Sequence, residues 1–164
     1  MCLYSYTDKP KKARHSIVCY KSVSVADWND FKDGYCRFES AFKHFIYEGG
    51  RSYYEPRFSM CELSHLISEG FHSHATQKVA EDEVCTRGFG VNVILQCEIP
   101  AGAYYYKGGA SGMEDYCSDF IRITGWKKSG EHSQWNDTLG PMYGRLKVLW
   151  VRIIYKLFSI NKLK

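Results

Sequence analysis

The sequence predicts a single α+β domain, a twisted and mostly antiparallel sheet with short helices, followed by a C-terminal amphipathic helix. Three observations lead there. Short β-branched and aromatic runs recur between clusters of turn residues, as in Ile17–Val23, Val91–Ile99 and Phe120–Thr124. One internal segment has a helical apolar period, and a second such period closes the chain. At 164 residues with 45% hydrophobic and 16% aromatic side chains, the chain can bury one core, and disorder is excluded.

Residues 1–14 are polar and basic and read as a loosely held arm. Ile17–Val23 is apolar enough for a buried strand, and Asp27 and Asn29 mark the turn after it. From Gly34 to Gly50 the spacing Phe38, Phe42, Phe45 fits a helical face, whereas Phe45 and Tyr47 fit a strand. The segment reads as an ordered loop or short helix over the sheet. Pro56 keeps Glu55 extended. Cys61–Ser68 has mixed helical spacing, with Gly70 where a C-terminal cap glycine would stand. Ser73 or Thr76 caps a helix whose apolar face is Ala75, Val79, Ala80 and Val84, leaving Glu81, Asp82 and Glu83 toward water.

Val91, Val93 and Leu95 alternate with Asn92, Ile94 and Gln96, which predicts a strand over Val91–Ile99 largely buried on both faces. Pro100-Ala101-Gly102 is a turn, and an aromatic run with Tyr104, Tyr105 and Tyr106 follows. The glycines at 108, 109 and 112 form no phosphate-binding loop, because no Lys-Ser/Thr pair follows them. Residues 129–144 are polar and read as a linker. In 145–164 the positions Leu146, Leu149, Trp150, Ile153, Leu157 and Ile160 make one helical stripe, and Arg145, Arg152, Lys156 and Ser159 the other. Lys147 and Arg152 interrupt the run well short of the roughly 20 apolar residues of a spanning helix. Such a helix packs on its own domain, lies on an anionic membrane surface, or docks on a partner protein.

The net charge of +4 conceals an asymmetry. Residues 145–164 hold six basic side chains and no acidic one, while residues 1–144 hold 16 basic and 18 acidic. The body lacks the basic, aromatic-studded face of a nucleic-acid binder, so no nucleic acid is expected. Seven cysteines without a C-x-x-C pair, and no leader-like N-terminal run, predict free buried thiols in a reducing cytoplasm. Nothing has metal-ligand spacing, and no metal is expected. His72 and His74 share one side of an extended corner and are candidate bases or ligands. Cys117 beside Asp119 is a candidate nucleophile without an assigned base.

Three places together carry a resemblance. Tyr20-Lys21 ends the first strand, Gly70-Phe71-His72-Ser73 forms a corner before a helix, and Val93–Gly102 reads V-I-L-Q-C-E-I-P-A-G. Over residues 15–128 this order resembles the ADP-ribosyltransferase fold, with its Tyr-Arg strand end, G-F-x-S-T-S corner, I-P-x-G turn and E-x-E strand. The stretch Phe45–Tyr53, the G-F-H-S corner and Tyr116-Cys117-Ser118-Asp119 are also similar to small proteins of bacteriophages and gut bacteria. The resemblance implies a cleft for NAD, ADP-ribose or a related nucleotide. It assigns catalytic positions to Lys21, Ser73 and Asp119 and ligand contacts to His72, Tyr20, Tyr105 and Tyr106. Lysine in place of arginine loses the bidentate fork, and Asp119 is one methylene short of glutamate, so weakened or lost catalysis is implied. The functional expectation is a phage or mobile-element accessory protein with a nucleotide cleft, acting in the host cytoplasm. The alternatives are a non-enzymatic binder of a host protein, a nucleotide-sequestering protein, or a membrane-peripheral protein acting through its tail.

Overall fold

The computed structural model describes residues 3–25, 37–40, 45–59, 66–85, 92–109, 114–129, 135–137 and 148–153. In chain order the strands are β1 (Leu3–Tyr4), β2 (Lys11–Lys12), β3 (Ile17–Val25), β4 (Arg37–Glu39), β5 (Ile46–Glu48), β6 (Ser52–Tyr54), β7 (Leu66–Ile67) and β8 (Phe71–His74). Helix α1 (Gln77–Cys85) follows, then β9 (Asn92–Ile99), β10 (Tyr104–Gly108), β11 (Asp115–Ser118), β12 (Phe120–Lys128) and β13 (Asn136–Asp137). Residues 148–153 are helical. The larger sheet is open, in the order β13-β12-β9-β3-β8-β11-β10-β2, with β4 and β5 added beside β3 and β6 beside β12. Its described pairings are all antiparallel, so the fold is mostly antiparallel sheet with short helices.

The centre of the sheet follows from its apolar content. Between β3 and β12, β9 buries Val93, Leu95, Cys97 and Ile99 on one face and Ile94 on the other. The first face forms the main core with Cys19, Val23, Ile121, Ile123, Phe38 and Phe71. Each fully buried aliphatic side chain there contributes about 1.5–3 kcal/mol. On the second face Ala80 of α1 packs on Ile94, with Tyr20 and Trp135 beside them. Thr76 Oγ1 accepts from Val79 N at 3.4 Å and caps α1, while Ser73 lies inside β8.

Several expectations resolve differently in three dimensions. Residues 3–14 are tied down rather than loose: β1 pairs with β7, β2 pairs with β10, and Leu3 and Ala13 are buried. Hydrophobic contact decides this, since Leu3 joins Ile67, Tyr106 and Cys117 in a separate small core. Leu66 and Ile67 are strand, not helix, because β1 needs a partner; residues 61–65 lie outside the described set. The aromatic segment is a β4–β5 hairpin at its described ends, with Phe45, Tyr47, Tyr53 and Phe71 in mutual ring contact. Glu81 and Glu83 turn to partners on the sheet, and only Asp82 of that acidic run is exposed. Within the expected linker, Asn136–Asp137 extends the sheet beside Gly125 and Trp126.

The first-strand docking is a precise steric fit. A Cβ on Gly108 would stand 1.8 Å from the Tyr4 carbonyl oxygen, so only glycine lets β1 cross β10 at this point. Gly108→Ala is expected to lower stability by about 1–3 kcal/mol in urea unfolding. An unchanged midpoint would show that β1 is not packed there.

Candidate functional site

Asp119, the residue between β11 and β12, builds the most connected polar cluster in the fold. Its Oδ1 accepts from Tyr104 N at 2.8 Å, and its Oδ2 accepts from Arg152 Nη2. Its backbone is engaged too: Asp119 N donates to Tyr104 O at 3.0 Å, and Glu55 N donates to Asp119 O at 2.9 Å. Burial raises the Asp119 carboxyl above its ordinary range, against the pull of Arg152 and of the Tyr104 amide. Arg152 in turn donates from Nη1 to Gly102 O at 3.0 Å and lies 4.4 Å from the Tyr104 ring centre. One side chain of the tail helix is therefore locked to the turn at Pro100–Gly102.

That turn is the expected one. Ala103 N donates to Pro100 O at 3.0 Å, and Gly102 takes φ 92°, the left-handed region open to glycine. The turn also clamps the N-terminal segment, since Gly102 N donates to Ala13 O and Ala13 N to Ala103 O, both at 2.8 Å. The segment Lys11–Ile17 runs along one side of the turn and residues 148–152 along the other. Between them opens a cleft of about 950 Å³. Lys11, Lys12, Arg14, His15 and Arg152 line it together with Tyr105, and no carboxylate is among its described lining residues. A volume near the upper end of ordinary ligand pockets, with convergent cations and one aromatic wall, suits a multiply anionic ligand.

The residues assigned from the resemblance are dispersed. Of the seven, Tyr105 lines this cleft. Asp119 sits behind Arg152. Lys21 is buried on β3, donates from Nζ to His72 O and lies 5.4 Å from the Tyr47 ring centre. Ser73 is buried beside Cys19, which faces Cys97 across β3 and β9. Burial opposes ionisation of the Cys19 thiol, but Cys97, Ser73 and Lys21 outweigh it and hold the thiol below its ordinary range. Tyr20 packs against Ile94, Ala80 and Trp135, and Tyr106 against Leu3, Ile67 and Phe58. His72 and Cys117 are opposed in register, with Nε2 3.5 Å from Sγ. A base therefore does stand beside Cys117, but the thiol is fully buried. Gly70 makes room for it, since a Cβ there would lie 2.6 Å from Cys117 Sγ.

His74 is the centre of a second buried network. Nδ1 donates to Asp115 Oδ1 at 2.7 Å and Nε2 to Glu83 Oε2 at 2.8 Å, and Ser22 Oγ donates to the same Glu83 oxygen. Burial works against the charge, but the two carboxylates outweigh it and push His74 up to about 9. This imidazolium fastens α1 to β8 and β11, and Lys127–Glu81 fastens it to β12. Among the described residues no group of three or more His, Cys, Asp or Glu is arranged to hold a metal ion.

The cleft cations were visible in the sequence only as charge. The pair Lys11-Lys12 and the following Arg14-His15 carried no motif, and their convergence with Arg152 depends on contacts distant in the chain. A scan against protein-family models, a search of curated proteins and a search of solved structures each return no match.

The His74 network has a defined pH signature. Because the folded pKa is raised above the ordinary value of about 6.5, its stabilisation is complete below pH 6.5 and is lost as pH rises through about 9. Thermal stability should therefore decline across that window by an amount on the order of 2–3 kcal/mol. A His74→Gln variant should be less stable at pH 6 and should lack this slope. A wild-type curve that is flat between pH 6.5 and 9 contradicts the assignment.

Proposed function

We propose that this protein binds a phosphate-bearing ligand of nucleotide size, such as NAD, ADP-ribose or a related nucleotide, in the cleft between Lys11–Ile17 and residues 148–152. The observation behind this reading is the cleft's composition: Lys11, Lys12, Arg14, His15 and Arg152 line it, with no carboxylate among the described lining residues. Cations gathered in a concave wall concentrate anions and form charge-assisted hydrogen bonds to phosphate oxygens. Tyr105 supplies a flat apolar surface for a base or ribose. The resemblance to ADP-ribosyltransferases favours the same ligand class, although of the contacts it assigned it is Tyr105 that lies in this cleft.

The reading is of a binding protein, not of a transferase. A carboxylate that stabilises an oxocarbenium-like sugar must reach the ligand. Asp119 instead spends both oxygens on Arg152 and the Tyr104 amide, and Ser73 and Lys21 are enclosed in the sheet. A protein that retains a nucleotide without transforming it serves as a sink or sensor, in keeping with an accessory role.

Calorimetric titration with ADP-ribose and NAD tests the proposal. Micromolar binding is expected, weakened about 10- to 100-fold in a Lys11→Glu/Arg14→Glu variant. Ser73→Ala should bind like wild type, and no nicotinamide should be released from NAD. Absence of binding, or loss of binding on Ser73→Ala with the charge-reversal variant unaffected, would overturn it.

A further inference from the structure

The sequence places Leu149, Trp150 and Ile153 on the apolar stripe of the tail helix, the stripe that ordinarily packs on the domain. The structure does the opposite. Val148 is 1% exposed and joins the main core, and Arg152 holds the helix through Asp119 and Gly102. Leu149, Trp150 and Ile153 are 53%, 62% and 42% exposed. Their i, i+1, i+4 spacing places them on one outward face. Large apolar side chains gathered on a surface mark an interaction site.

The surrounding charge indicates what covers that face. Residues 145–164 carry Arg145, Lys147, Arg152, Lys156, Lys162 and Lys164 and no acidic side chain. Leu149 and Arg152 also border the cleft wall that carries Lys11, Lys12 and Arg14. An apolar ridge with a tryptophan, in a segment rich in cations and bordered by the cleft wall of Lys11, Lys12 and Arg14, is complementary to an anionic bilayer surface, where aromatic rings settle at headgroup depth and cations face phosphates. No helix among the described residues is long and apolar enough to cross a membrane.

We propose that the outward face of the C-terminal helix docks on an anionic phospholipid surface, with Leu149, Trp150 and Ile153 entering the headgroup–acyl boundary. This goes beyond the nucleotide cleft, with which it shares Leu149 and a basic border. Trp150 and Ile153 do not line the cleft, so the two claims can fail separately.

Co-sedimentation of the full chain with vesicles of phosphatidylcholine alone, or of phosphatidylcholine with phosphatidylglycerol as the minority lipid, tests it. At least about a tenfold higher bound fraction is expected on the anionic vesicles, with a blue shift of tryptophan emission. Trp150→Ser/Ile153→Ser should lose both effects, whereas Trp150→Phe should keep most of the sedimentation and lose the shift. An ADP-ribose titration of the double variant, compared with wild type, reports on the cleft separately. Wild type remaining in the supernatant with both vesicle types would overturn the proposal, as would equal binding to both or binding unchanged in the double variant. A concentration-dependent dimer abolished by the double variant, without vesicle binding, would also overturn it and assign the face to a second copy of the chain.

Discussion

The buried pair between Asp119 and Arg152 is the contact on which the cleft depends. It joins four parts of the chain: the β11–β12 junction, the start of β10, the Pro100–Gly102 turn and the C-terminal helix. Neither charge is left short of partners, because the Tyr104 amide and the Gly102 carbonyl take up the remaining capacity. Removing one member of such a pair costs about 3–5 kcal/mol, since the other charge stays buried without compensation. Without Arg152 on the turn, the helix would lose its polar anchor, and among the described residues Val148 and Val151 would hold that wall of the cleft by apolar packing. The residue that resembles a catalytic acid is here the bolt that shapes the cleft.

The two faces of the sheet are secured in different ways. The main face is closed by aliphatic and aromatic packing around β9, a contribution that scales with area and is indifferent to pH. The other face carries a nine-residue helix that packs Ala80 on Ile94. Ions compensate there, through His74 between two carboxylates and through Lys127 on Glu81. The helix is thus the part of the fold whose attachment responds to proton concentration, whereas the basic cleft is built on the apolar side of the sheet beside Val148 and Tyr105.

Much of the sheet was legible because its signals are local. The consecutive Val93, Ile94 and Leu95 reflect burial on both faces, and Pro100-Ala101-Gly102 reads as a turn because glycine alone tolerates φ 92° cheaply. What escaped depended on pairing across the chain. Leu3 and Leu66 have no strand period of their own and become strand only because they meet each other's segments. His72 and Cys117 lie 45 residues apart and come within 3.5 Å through the β8–β11 register. Of the tail, residues 148–153 are helical, and its stripe left open whether it packs on the domain, on a membrane or on a partner. A hydrophobic stripe does not reveal that Arg152, on the opposite stripe, has a buried carboxylate waiting for it.

The two proposals, a nucleotide in the cleft and an anionic bilayer under the ridge, rest on one chemistry, the recognition of anions. The central claim is that the ligand sits among Lys11, Arg14, Tyr105 and Arg152, not at the Lys21–Ser73 corner. Amide chemical-shift mapping during an ADP-ribose titration tests that placement most directly. Perturbations confined to residues 11–17, Gly102, Tyr105 and 148–152 are the predicted result. Perturbations centred on Lys21, His72 and Ser73, with the cleft amides unmoved, would contradict it.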